Sequence, residues 1–211
     1  MAICKLQRED RKIMHNQPEH SFGFTLMELM VTIAIAGILL GVAIPSFTSI
    51  ISSNRLTTYA NELVTALNLA RSEAIKRGQH VVVSKTGTDW EDGWQVFVDI
   101  DRSPSSHQNV FNTGTDIVLR VYSALPASYT LRGNNNFTNF IRYQPDGTSN
   151  NIGSFVLCDN RDGNNIPEKN TSKLLTVNAA GRLHIGIDAD KDGIPEKDDG
   201  TEIVSCTVSP F

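Results

Sequence analysis

Twenty-one residues, Phe24 to Ile44, carry a single charge, Glu28. The run FTLMELMVTIAIAGILLGVAI ends at Pro45, and no other stretch of this 211-residue chain is long and apolar enough to span a bilayer. At ~1.5 Å per residue, a helix of this length covers the roughly 30 Å of a hydrocarbon core. A carboxylate inside that core costs roughly 2.5–3.5 kcal/mol on insertion scales. Glu28 therefore needs a partner or a purpose that offsets its cost.

The flanks say what kind of segment this is. Residues 1–19, MAICKLQREDRKIMHNQPE, are polar and mixed in charge, and they read as a tail. A secretory signal would pass into a small-residue cleavage site of the A-x-A kind. Here the apolar run leads through Pro45 straight into more helix. Leu56, Tyr59, Leu63, Leu67, Ala70 and Ala74 recur at spacings of three and four, with Asn61, Glu62, Asn68, Arg71 and Lys76 on other faces. Gly78 after Lys76-Arg77 is a stop signal. The reading is one helix of about 50 residues: an apolar half, a local bend at Pro45 from its missing backbone donor, and an amphipathic half.

After Gly78 the texture changes. Short runs rich in β-branched and aromatic residues are separated by Gly, Asn, Asp and Pro clusters. They are 80–85, 93–100, 117–125, 129–133, 140–144, 154–159, 173–178, 182–187 and 202–206. Trp94, Val96 and Val98 fall on one face by alternation, and KLLTVNAAGRLHIGI reads as a hairpin turning at Asn178–Gly181. Loops 102–109 and 132–139 read as solvated and mobile. Strands following one long helix imply an α+β fold, with an antiparallel β-rich head packed on the amphipathic half. The net charge is −4, and about −5 without residues 1–23, which argues against nucleic-acid binding through bulk charge. Of three cysteines, Cys4 lies in the tail. If the later part is exported, Cys158 and Cys206 form a disulfide, and two buried thiols are the alternative.

GFTLMEL at 23–29, followed by the apolar run and Pro45, resembles the type IV prepilin signature. The resemblance implies a leader of residues 1–23, removed between Gly23 and Phe24 by a prepilin peptidase that also N-methylates Phe24. It makes Glu28 the fifth residue of the processed chain, the one used in assembly, and Pro45 the helix kink. The chemistry can be stated separately. A cut after Gly23 exposes an amine at the helix edge, and Glu28 of one chain can pair with the amine of another. Ala34, Ala36, Gly37, Gly41 and Ala43 would allow close helix approach.

Farther along, NELVTALNLARSEAIKRGQHVVV and WEDGWQVFVDID, with Trp90, Gly93, Trp94, Phe97 and Asp99, resemble the GspH/FimT family of pilin-like proteins. FVLCDNRDG, NAAGRLHI and Cys206 are similar to its FimT/FimU minor pilins. The implied organisation is a leader (1–23), a transmembrane and assembly helix (24–45), an amphipathic helix (46–78) and a β-rich head (79–211). The implied function is a minor type IV pilin, a structural subunit of pilus biogenesis serving twitching motility or adhesion. Its partners would be other major and minor pilins. It would sit in the inner membrane of a Gram-negative bacterium with its head in the periplasm, and then in the pilus at the cell surface. A type II secretion pseudopilin of the GspH type and a DNA-binding minor pilin for transformation are the alternatives.

Two further patterns stand apart. Asp188, Asp190, Asp192, Glu196 and Asp199 occupy positions 1, 3, 5, 9 and 12 of a loop with Gly193 at 6 and the Ile194 carbonyl at 7. That spacing wraps Ca²⁺ in EF-hand-like loops, although Asp199 replaces the usual Glu. A solvated acidic turn is the alternative, and Asp159–Lys169 is a weaker echo. Arg182 and His184 fall where FimT-type proteins carry a G-R-x-R element implicated in DNA uptake, with His184 in place of the second Arg. A hairpin with two solvent-facing side chains is the alternative. Five scattered histidines and no nucleophile–base grouping give catalysis no support, so no enzyme is expected, and no cofactor beyond a structural Ca²⁺.

Overall fold

A computed structural model describes residues 23–134 and 136–209, apart from the side chains of residues 45, 46, 48 and 49. Residues 1–22 of the expected leader, Cys4 among them, lie outside these. The chain divides at Pro45 into two compact units. One helix, α1 (Leu26–Arg77), enters both.

Within the first unit α1 is apolar and exposed around its circumference, with Phe24, Leu26, Ile33, Ile38, Leu39 and Val42 all open to solvent. The segment Leu26–Ile44 is long and apolar enough to cross a membrane. The helix continues through Pro45, whose missing amide leaves no break in it.

In the second unit, α1 presents Leu56, Leu63, Ala66, Leu67, Ala70 and Ala74 as a buried stripe at helical spacing. The helix stops where Gly78 takes a left-handed φ of +62° and Gln79 N–H returns to the Ala74 carbonyl at 3.3 Å. Eight strands follow: β1 (Val81–Lys85), β2 (Trp94–Val98), β3 (Ile117–Tyr122), β4 (Tyr129–Gly133), β5 (Phe140–Tyr143), β6 (Gly153–Asp159), β7 (Ser172–Val177) and β8 (Leu183–Ile185). They build two antiparallel sheets, in the orders β3-β2-β1-β5 and β4-β6-β7-β8.

Alternation aims Val81, Val83, Trp94, Val96 and Val98 from the first sheet, and Leu131, Phe155, Leu157, Leu175 and Val177 from the second, into one core with the α1 stripe. A second, smaller core lies on the reverse face of the second sheet. It joins Val156, Cys158 and Leu174 to Ile203 and Cys206. The expected strand 202–206 is not a strand. Its backbone makes one isolated bridge, Glu202 to Glu196, while Ile203 and Cys206 pack inward. The apolar content there records burial against a sheet face, not pairing at a sheet edge.

The two loops expected to be solvated are so only in part. In 102–109, residues 103–106 are exposed, while Arg102 and Asn109 are half-buried and bonded to Asp99 just past β2. In 132–139 Phe137 is fully buried, stacked on Phe155 at 5.4 Å, and its carbonyl accepts the Trp90 indole N–H at 2.8 Å.

Candidate functional site

The first turn of α1 is built from T-L-M-E. Thr25 Oγ1 accepts the backbone N–H of Glu28 at 3.1 Å, so Thr25 caps the helix with Glu28 at its third position. That places the Glu28 carboxylate in the first turn, at the positive end of the helix dipole. The sequence reading missed this cap, although S/T-x-x-E ahead of an apolar run is its usual signal. Gly23 has open space around it and Phe24 is 78% exposed, so the peptide bond between them is accessible. Gly37 and Gly41, one turn apart, are likewise uncovered.

Within the head the acidic loop partly gathers. Carboxylate oxygens of Asp188, Asp190 and Glu196 lie within 4.8 Å of one another, and so do those of Asp190, Asp192 and Glu202. Asp188 Oδ1 is buried without a hydrogen-bond partner. Asp199 joins neither group. Its Oδ1 instead accepts Thr201 N–H at 2.9 Å and the Thr201 hydroxyl at 2.6 Å, closing a local turn. Glu202, absent from the sequence reading, stands in the second group. The Ile194 amide donates to Asp192 Oδ1 at 2.7 Å. Repulsion from Asp192, followed by partial burial and repulsion from Asp190, raises the Glu202 pKa. In the echo loop the Asn164 amide bridges Asp162 and Glu168, at 2.6 and 3.2 Å.

The disulfide Cys158–Cys206 is formed, tying β6 to the C-terminal segment with Cα atoms 5.8 Å apart. Beside it, the Ser52 hydroxyl of α1 donates to buried Asp159, which also pairs with Arg161 at 3.0 Å.

The Asn178–Gly181 turn is structural in part. Arg71 on α1 donates Nε to Gly147 O at 3.0 Å and Nη2 to Ala180 O at 3.2 Å. Gly181 has φ +70°, and a Cβ there would lie 2.2 Å from Gly147 O. The next residue, Arg182, is exposed. His184 faces Asp198, with Nε2 to Oδ1 at 3.6 Å, and lines a shallow pocket with Glu196. A carboxylate therefore stands beside His184 Nε2.

Residues 59–181, more than half of the chain, match the family described as type II transport protein GspH. This chain belongs to the GspH family. Residues 20–44 match the prokaryotic N-terminal methylation motif. The GspH match stops before Arg182, the acidic loop and Cys206.

Among relatives, a fimbrial protein of Pseudomonas aeruginosa is 42% identical over 67 residues, covering 32% of this chain and 43% of that protein. The type IV major alpha-pilin of Moraxella bovis is 32% identical over 111 residues, 53% of this chain and 59% of that one. The pilin-like protein PilA1 of Thermus thermophilus is 39% identical over 79 residues, 36% and 47% of the two chains. The chain spans about half the length of the curated relatives it matches. A crystal structure of the Pseudomonas aeruginosa type IV minor pilin FimU aligns at a TM-score of 0.49 and 20% identity, over 72% of this chain and 96% of that one.

Proposed function

We propose that this GspH-family chain is a minor type IV pilin, a structural subunit whose work is assembly, not turnover. One observation carries the reading: a methylation-type N-terminus opens an exposed apolar helix with a carboxylate in its first turn. On this reading residues 1–23 are a leader, Phe24 is the methylated terminus, and Pro45 lets the helix bend between lipid and filament. The helix anchors the chain in the inner membrane with the head in the periplasm. Glu28 then docks it among other pilins. Replacing Gly23 by Trp should block processing by the prepilin peptidase and remove the protein from sheared pili. A mature-sized band from Gly23→Trp refutes the assignment.

A type II secretion pseudopilin is the second reading, favoured by the GspH match itself. Deletion separates the two: loss of pili and twitching supports the first, and loss of enzyme secretion with pili intact supports the second. Uptake of DNA rests on Arg182 alone, since His184 faces Asp198. A gel shift with the full chain in micelles, lost in Arg182→Ala, would support that role.

The proposal extends to a structural Ca²⁺ in the loop at 188–202, supported by two carboxylate groups that share Asp190: Asp188, Asp190 and Glu196, and Asp190, Asp192 and Glu202, with Asp199 in neither. Hard carboxylate oxygens suit that cation, which would hold the turn and relieve the repulsion felt at Glu202. Adding CaCl₂ should raise the melting temperature of the wild type and leave Asp190→Asn unmoved. An equal response in both refutes the site.

A further inference from the structure

The first sheet has an outer face that the helix does not use. Alternation places His80, Val82 and Ser84 there from β1 and its approach, Gln95, Phe97 and Asp99 from β2 and its exit, and Phe140 and Arg142 from β5. Part of this face lies under the connection from β2 to β3, residues 99–116. That connection is fastened by charge. The Asp99 side chain is fully buried, pairs with Arg102 and accepts Asn109 N–H at 3.1 Å. Asn109, at φ +64°, accepts Arg142 Nη1 on its side-chain oxygen at 2.9 Å. Asp116 accepts the amides of Ile100, Asp101 and Asn112, and Phe111 meets Phe97 edge-on at 5.5 Å. A buried ion pair is a poor source of net stability and a good way to fix one geometry.

The fastened loop stops short of the face's open end. Between them lies an open cleft of about 640 Å³, within the roughly 300–1,000 Å³ of small-molecule sites. Its floor is Ser84, Gln95 and Phe140, its wall Gln108 and Phe111, and its rim Asn139. No carboxylate lines it, although the protein is acidic overall. Its one ammonium, Lys85, donates to the Thr88 carbonyl at 2.6 Å. Among the described residues the side chains of Ser84, Gln95 and Asn139 make no hydrogen bond to the rest of the protein.

Free amides offer a donor and an acceptor side by side, the pairing that neighbouring sugar hydroxyls require. Phe111 and Phe140 supply apolar area for the C–H face of a sugar ring. A polyanion would find a single ammonium here, Lys85, already drawn to the Thr88 carbonyl. Strand addition by a peptide is closed off here: β1 is paired with both β2 and β5, and the outer edge of β5 is taken at Arg142 by Asn150 and at Tyr143 by Ser149. We infer that this cleft binds a neutral oligosaccharide, whatever filament the subunit serves.

The test is calorimetric titration of the full chain in lauryldimethylamine-oxide micelles, which carry no sugar. The probes are chitotetraose, cellotetraose and maltotetraose, with a sulfated tetrasaccharide as comparison. At least one neutral probe should bind. Gln95→Ala and Asn139→Ala should each weaken it by about tenfold, as expected for losing one or two polar contacts, and Arg55→Ala, exposed on α1 outside the cleft, should leave it unchanged. Equal melting temperatures of the variants confirm that the fold persists. The inference is overturned if no neutral probe binds, if only the sulfated one binds, or if both cleft variants bind like the wild type.

Discussion

His80 sits at the foot of β1 with its Nδ1 buried and without a hydrogen-bond partner. Burial comes first, and then the Arg102 and Arg142 guanidiniums, in holding its imidazole below the ordinary value of 6.5; Asp99 and Asp146 pull the other way. The folded protein thus takes up this proton later than the unfolded chain as pH falls. In that window the unfolded state binds more protons, so the contribution is complete above about pH 6.5 and is lost below it. Between pH 7.5 and 5.5 the melting temperature of His80→Gln should fall less steeply than that of the wild type. Parallel curves would show that His80 contributes nothing to the slope. Phe137 carries a second consequence at this scale. Its loop is rich in Asn and Thr and reads as solvated, because composition cannot show one ring turned inward. Since the ring is wholly buried against Phe155, Phe137→Ala should cost about 3–5 kcal/mol by denaturant titration. A loss under about 1 kcal/mol would put the ring outside the core, below the range expected for deleting a buried aromatic.

At the scale of elements, long periodic patterns were legible and lone ones were not. The α1 stripe, the β1 and β2 runs and the β7–β8 hairpin follow from spacing, because each buries one continuous face. Phe97 breaks the simple alternation: it faces away from α1 and is buried all the same, under Phe111. A period of two reports which face a residue takes, and says nothing of what covers the second face. The same limit explains 202–206, whose apolar residues cover the outer face of β6 and β7 while their backbone stays largely unpaired. Within the acidic loop, Asp188, Asp190, Asp192 and Glu196, picked out by spacing, do stand among the gathered carboxylates, whereas Asp199 turns to Thr201 and Glu202 joins instead. What holds the C-terminal segment to the sheet is chiefly the Cys158–Cys206 bond. The cysteines are 48 residues apart, and closing a loop of that size restricts the unfolded chain by about 4 kcal/mol on the chain-entropy account. Replacing both by Ser should lower stability by about that amount, measured as a shift in urea midpoint. An unchanged midpoint would mean that the packing of Ile203 and the backbone bonds at Glu202 and Cys206 secure the segment without it.

The molecule as a whole joins two units with opposite needs. The head buries its own apolar surface. The first unit leaves Leu26, Ile33, Ile38, Leu39 and Val42 open, an apolar surface that a monomer in water does not sustain. Lipid or other helices must cover it, and Glu28 discriminates between the two. Thr25 caps the helix through the Glu28 backbone amide, so the cap survives when the carboxylate is removed. Glu28→Ala should therefore start its helix normally, be processed and enter the membrane, with less charge to bury than the wild type. If helix partners rather than lipid are the final cover, the missing carboxylate leaves the N-terminal amine of a neighbouring chain unpaired, and recruitment into the filament falls. Glu28→Gln keeps the shape and loses only the charge, and it should fail alongside Glu28→Ala in quantitative blots of sheared pili against membranes. Thr25→Ala provides the converse. It removes the cap at a cost of about 1 kcal/mol but keeps the charge, and it should assemble better than either Glu28 variant. Wild-type recruitment of Glu28→Gln would rule out charge pairing as the force that docks the helix.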